Sequence, residues 1–214
     1  MQEAAWQRWV PFTGIVFVIL FIVGLVLAAG PENTSSNEEW LDWYTDSGNQ
    51  TSAIIGAYFF AVASVALLLF VNRVRATIAE AEGVRPIFSP FIFGSGVILA
   101  ASVVVLATTL AVVPAGIKFG DLNAPENSDI VRFLPQIGFG MFLVLGMIPW
   151  CFGMLTIAYA SMRFNVFPSW FNWLTLLCAL LLFLAALFFP IIALGVWLIA
   201  GSVVLLRHQS ATTG

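Results

Sequence analysis

Long stretches of this chain contain no Asp, Glu, Lys or Arg, among them Trp9 to Pro31, Phe88 to Ile117, Phe133 to Met162 and Phe164 to Leu206. A helix needs about 20 mainly apolar residues to cross the roughly 30 Å hydrocarbon core of a bilayer, and each stretch meets that length. Composition agrees, since 9% of residues are charged and 61% hydrophobic where a soluble domain carries about 25% charged residues. Lipid is therefore the expected solvent.

Apolar runs read against the spanning length predict helix one over about 9–29, helix two over 52–71 with a projection to 82, helix three over 88–113, and helix four over 133–161. The last apolar stretch, Trp170 to Leu206, would be about 55 Å long as one helix. It must fold back, and Phe188-Phe189-Pro190 is the natural hinge because proline lacks an amide donor and clashes with the preceding turn. Helix five is then 170–189 and helix six 191–206, the latter short enough that a re-entrant hairpin stays open as an alternative. The expected fold class is all-α, a polytopic transmembrane bundle of six helices in three hairpins, forming a single domain over 1–214. Helix one follows Arg8 and precedes small residues, as a signal peptide does, but its apolar run exceeds the roughly 7 to 15 residues of a signal core. It reads as a retained helix.

Lys and Arg in short loops are held on the cytoplasmic side. With the N-terminus inside, Arg8, Arg73, Arg75, Arg85, Arg163 and Arg207 fall inside and only Lys118 and Arg132 outside. Both termini are thus expected in the cytoplasm. The longest polar segment, Pro31 to Thr51, then lies outside and contains an expected short amphipathic helix, with Ser36 or Asn37 as N-cap and Glu38 and Glu39 at its positive end. Trp40, Leu41, Trp43 and Tyr44 share one side of it, which places it on the outer membrane surface. At the other side, Gly83 is the expected stop of the helix-two projection and Pro86 precludes continuation.

Several function classes lose their chemistry at this point. A net charge of -3 without a basic patch argues against a nucleic-acid partner. His208 is the only histidine and sits near the C-terminus, so histidine-ligated haem, a multi-histidine metal site and a buried Ser-His-Asp triad are not available. Cys151 and Cys178 lie in apolar stretches and frame neither a disulfide nor a zinc site. The acidic residues Glu38, Glu39, Asp42 and Asp46 lack the ordered spacing of a calcium loop. No enzyme activity, cofactor or metal is expected, and the first partner is the lipid bilayer.

Two groups of residues stand out within the spans. Ala53, Ala57, Ala61 and Ser64 place small side chains along one face of helix two, which lets a neighbouring backbone approach. That face serves internal packing or contact with another membrane protein or a second copy. Helix four carries Gly146, Pro149 and Gly153, and Pro149 removes the hydrogen bond to the Leu145 carbonyl. A kink near Gly146 is expected. Discontinuous helices are where transporters place their sites, and with Gln136 these residues are candidates for a pathway; neighbouring groups that re-satisfy the backbone offer the plainer account. Ionisable side chains are missing at mid-depth, which disfavours ion or proton transport.

The segment Arg163-Phe-Asn-Val-Phe-Pro-Ser-Trp-Phe-Asn-Trp-Leu-Thr, with Pro168-x-Trp170-x-x-Trp173, resembles a family of bacterial six-helix membrane proteins of unknown function, as do Gly56-Ala57-Tyr58 near the start of helix two and the final tight hairpin. The chain departs from that pattern at Asn172 and Thr175, where glycines are expected. The resemblance implies a bacterial plasma (inner) membrane protein and carries over no catalytic residue. The leading expectation is a non-enzymatic structural or regulatory partner of another membrane component; a small channel or transporter for a neutral or apolar solute is the alternative.

Overall fold

A computed structural model describes residues 8–32, 34–84, 86–120, 122–123, 128–184 and 191–212, and every regular element among them is helical. A 3-10 turn, Val10–Phe12, leads into α1 (Thr13–Leu27); α2 (Asn37–Thr45), α3 (Ser47–Glu82), α4 (Phe88–Phe119) and α5 (Ser128–Met141) follow. A π-helical segment, Phe142–Met147, joins α5 to α6 (Ile148–Phe164), and α7 (Ser169–Phe183) and α8 (Ile191–Thr212) complete the described chain.

Among the described residues, Val10–Leu27, Ser47–Glu82, Phe88–Phe119, Val131–Phe164 and Ile191–His208 are long and apolar enough to cross a membrane. The chain is a membrane-embedded helical protein. The 15 residues of α7 reach about 22 Å, less than the hydrocarbon core. The expected hinge at Pro190 and the end of helix five, 185–189, lie outside the described residues.

Helix extents differ from the sequence reading where long-range contacts act. α3 begins at Ser47 because the Asp46 carboxylate accepts from the Asn49 N–H at 2.8 Å and caps it. α4 continues past the expected end at Val113, through Pro114, to Phe119. Lys118 in that extra turn donates to the Ser47 carbonyl and hydroxyl and to the Thr51 hydroxyl, so α3 holds the extension in place. α8 has 22 residues, about 33 Å, and helix six is not short for a span. The stop at Gly83 appears as expected, with φ of 78° that suits glycine.

Neighbouring helices close into a ring. α3 packs on α1 and α4, α4 on α5 and α6, α6 on α7, α7 on α8, and α8 returns to α1. The α1–α3 crossing is tight, because a Cβ on Gly56 would lie 2.9 Å from the Gly24 carbonyl oxygen. At the centre the Trp197 ring contacts Phe70, Trp150 and Phe171 at centroid separations of 5.6, 5.6 and 6.1 Å. Its indole N–H donates to the Thr175 hydroxyl at 2.9 Å, which donates onward to the Phe171 carbonyl at 2.7 Å. A buried indole needs such a partner, which gives Thr175 a structural task.

The α3–α4 turn is fastened by Glu82. Its carboxylate accepts from the backbone N–H groups of Ile87, Phe88 and Ser89 at 3.1, 2.7 and 2.9 Å, so the end of one helix caps the start of the next. Partial burial pushes the carboxyl up, but these hydrogen bonds outweigh it and hold it below its ordinary value. The contribution is therefore present above the unfolded carboxyl value of about 4.3 and lost as pH falls through the folded one. Acidification should speed amide exchange at Ile87 to Ser89, with a loss of about 1 kcal/mol, the size of a missing N-cap. Glu82→Gln should remove that pH dependence; a variant that keeps it would show that Glu82 is not its source.

Candidate functional site

The best-defined concavity involves α2. Ser36 accepts from the Glu39 N–H at 3.2 Å and the Glu39 carboxylate accepts from the Ser36 N–H at 3.1 Å, a reciprocal capping box. The nine-residue helix so started is too short to stand alone. It docks across the end of the bundle, burying Trp40 to 5% and Tyr44 to 2% exposure against Val131 of α5. The expectation of an aromatic face turned to the membrane surface is corrected here. Trp40 and Tyr44, one turn apart, point into the protein because their polar atoms find carbonyls there: the Trp40 indole donates to Glu32 at 3.2 Å and the Tyr44 hydroxyl to Val131 at 3.3 Å. The Arg132 guanidinium lies over the Trp40 ring, 5.8 Å from its centroid, and donates to the Ser35 carbonyl. Burial pushes the Tyr44 phenol up to about 12, so this contact is complete below the ordinary phenol range near 10 and is lost as pH rises through the shifted value.

Beneath this roof lies a cavity of about 540 Å³. Leu25, Ala28 and Ala29 come from α1 and the turn after it, Trp43 from the roof, Leu110 from α4, and Gln136 from α5. Among the described residues, no Asp, Glu, Lys or Arg lines it. Its volume falls in the roughly 300–1,000 Å³ range of small-molecule sites, and one amide in an apolar, aromatic lining is the usual composition of such sites. One turn deeper, Phe21 contacts Phe60 at 5.1 Å and Phe142 at 5.5 Å between centroids, and all three are buried. The cavity forms a vestibule lined by Trp40, Trp43, Tyr44 and Phe139, and the Phe21, Phe60 and Phe142 rings are not among its lining residues.

Of the helix-four candidates, Gln136 lines the vestibule and the others do not share its position. A Cβ on Gly146 would collide with the Ser102 hydroxyl and one on Gly153 with the Ser95 hydroxyl, so both glycines are pressed against α4. Pro149 sits in the first turn of α6, directly after the π segment that contains Gly146. The backbone does depart from α geometry here, as π turns often do at special positions.

The helix-two face divides in two. Ala53 and Ser64 are buried, and the Ser64 hydroxyl donates to the Ala61 carbonyl at 2.7 Å. Ala57 and Ala61 are half-buried and, with Ala107, Ala111 and Ala115 of α4, line a shallow groove of about 280 Å³ along the α3–α4 seam.

The sequence reading missed Trp43 and Leu110 as cavity residues, because the cavity exists only where four separate elements meet. Among the described residues, no three His, Cys, Asp or Glu side chains gather closely enough to hold a metal ion. Comparison with protein-family models, curated proteins and solved structures finds no match to this chain.

Proposed function

We propose that this chain is a membrane-embedded binding protein that performs no chemistry of its own and receives a neutral or apolar solute in the α2-roofed vestibule. The single observation behind this reading is the vestibule itself, drug-sized and with no charged side chain in its lining among the described residues. A charged ligand would lose its hydration there without gaining a partner. We read capture rather than conduction, since Phe21 packs against Phe60 and Phe142 one turn along α1 from the vestibule and all three rings are buried in the bundle. The proposed topology has six spans with both termini cytoplasmic, which leaves α2 on the outer face; it rests on the sorting of Lys and Arg. A cysteine at Arg207 that reacts with an impermeant reagent in intact cells would overturn it.

The binding test uses the full chain in lipid nanodiscs and hexyl β-glucoside, a neutral short-chain probe. Saturable change in tryptophan fluorescence is expected, weakened at least tenfold by Gln136→Ala, the loss typical of a hydrogen bond left unmade. Absence of saturation in the wild type would defeat the reading.

A second reading is favoured by the alanine groove between α3 and α4, where small residues on both helices leave room for a further transmembrane helix. This is the structural or regulatory partner role. Cysteines at Ala57 and Ala111 should then crosslink in native membranes to a second helix, from another protein or another copy. Unmodified monomer at both positions counts against it.

A further inference from the structure

A second depression shares a lining residue with the vestibule. A groove of about 470 Å³ runs between α1 and α8, lined among the described residues by apolar side chains that include Val18, Ile22 and Leu25 on α1 and by Leu194, Gly195 and Ile199 on α8. Leu25 belongs to both cavities. The α1 residues Val18, Ile22 and Leu25 recur every three or four positions and so share one face of the helix, while Ala28 and Ala29 of the turn that follows line the vestibule. From Leu25 to Phe17 the groove descends eight residues of α1, about 12 Å, a little less than half the hydrocarbon core.

We infer that the ligand of this protein is a neutral amphiphile whose uncharged, hydrogen-bonding head sits in the vestibule beside Trp43 and Gln136 while its alkyl chain lies in the α1–α8 groove. This rests on the vestibule reading above and names its ligand class. An aromatic and amide lining, with no charged side chain among the described residues, suits a hydroxylated head. The hydrocarbon lining of the groove suits a chain and nothing polar. Leu25 marks the point where head and chain join. The depth of the groove sets the chain's reach, which ends near the bilayer centre.

The test uses alkyl β-glucosides with the full chain in nanodiscs. A decyl β-glucoside bearing a diazirine at the chain end should label α1 and α8 around Val18 and Ile199, and excess unlabelled octyl β-glucoside should reduce that label at least fivefold. Gly195→Leu fills the groove without a near clash, since a Cβ there meets Val18 methyls at 3.9 Å. It should move the label off these residues while hexyl β-glucoside still binds. Ile199→Trp serves the same purpose if Gly195→Leu does not fold. Label spread equally over other membrane-facing residues such as Val62 and Phe152, and not reduced by competitor, would overturn the chain assignment even if hexyl β-glucoside binds. Failure of hexyl β-glucoside itself would instead remove the vestibule reading on which the inference rests.

Discussion

Gly146→Ala and Gly153→Ala should each destabilise the protein by about 1–3 kcal/mol, the cost of forcing a methyl group into a closed contact, and the reason lies in a register shared by two helices. On α4 the hydroxyl residues Ser95, Ser102 and Thr109 recur every seven positions. Each donates to the carbonyl three residues earlier, at 2.9, 2.7 and 2.9 Å, which folds the side chain down and presents a compact surface. The opposing helix meets them with Gly153, Gly146 and Gly138 in that order. Gly146 to Gly153 is seven residues, but Gly138 to Gly146 is eight. The extra residue falls where the π segment Phe142–Met147 lies, and a π turn accommodates one residue more than an α turn. The switch back to α geometry comes at Ile148, directly before Pro149, which has no N–H to offer in either pattern. Thermal unfolding in mild detergent should show the loss for both alanine variants. Ser102→Gly should recover much of the Gly146→Ala deficit, because the side chain that collides is then gone. Deleting Val144 should be worse than either substitution, since it would shift Gly138 out of register with Thr109. A Gly146→Ala protein as stable as the wild type would remove this account of the seam.

How much of this was legible in the sequence depended on the range of the interaction. The Ser36 cap, the Gly83 stop and the apolar spans are local, and their residue types state them within a turn or two. The extension of α4 beyond Pro114 was not legible, because proline argues locally for a stop and the opposing contact, Lys118 with the first turn of α3, joins residues about seventy positions apart. The glycines of helix four were visible as an anomaly, but their meaning needed the hydroxyls of α4 opposite them. Read alone, spacings of eight and seven suggest only a flexible helix. The site divides in the same way. Gln136 stands out in the sequence as a polar residue in an apolar span, whereas the vestibule needs α1, α2, α4 and α5 brought together. The aromatic face of α2 misled because Trp and Tyr are equally at home at a membrane interface and in a core that offers carbonyl partners; only the position of Val131 decides between them.

Trp40→Ala should therefore release α2 while leaving the bundle folded. Removing a buried tryptophan costs about 3–5 kcal/mol, and here the loss falls on one small cluster, Trp40, Tyr44 and Val131, which is separate from the main core. It also deletes the indole hydrogen bond to the Glu32 carbonyl and the ring beneath the Arg132 guanidinium. A nine-residue helix contributes little to offset such a loss, because helices shorter than about 12 residues are marginal in water. The capping box can start α2 but cannot dock it. Amide exchange over Asn37 to Thr45 should rise by two orders of magnitude or more, the effect of about 3 kcal/mol on a local opening, while the amides around Trp150 and Trp197 keep their protection. Tyr44→Phe should act in the same direction but more weakly, since it loses one hydrogen bond and keeps the packed ring. Because Trp40 and Tyr44 line the vestibule, hexyl β-glucoside affinity should fall in step with α2 protection across the pair. If α2 is released and binding persists unchanged, the roof takes no part in the site; if α2 stays protected in Trp40→Ala, the docking of this helix rests on contacts other than the aromatic cluster.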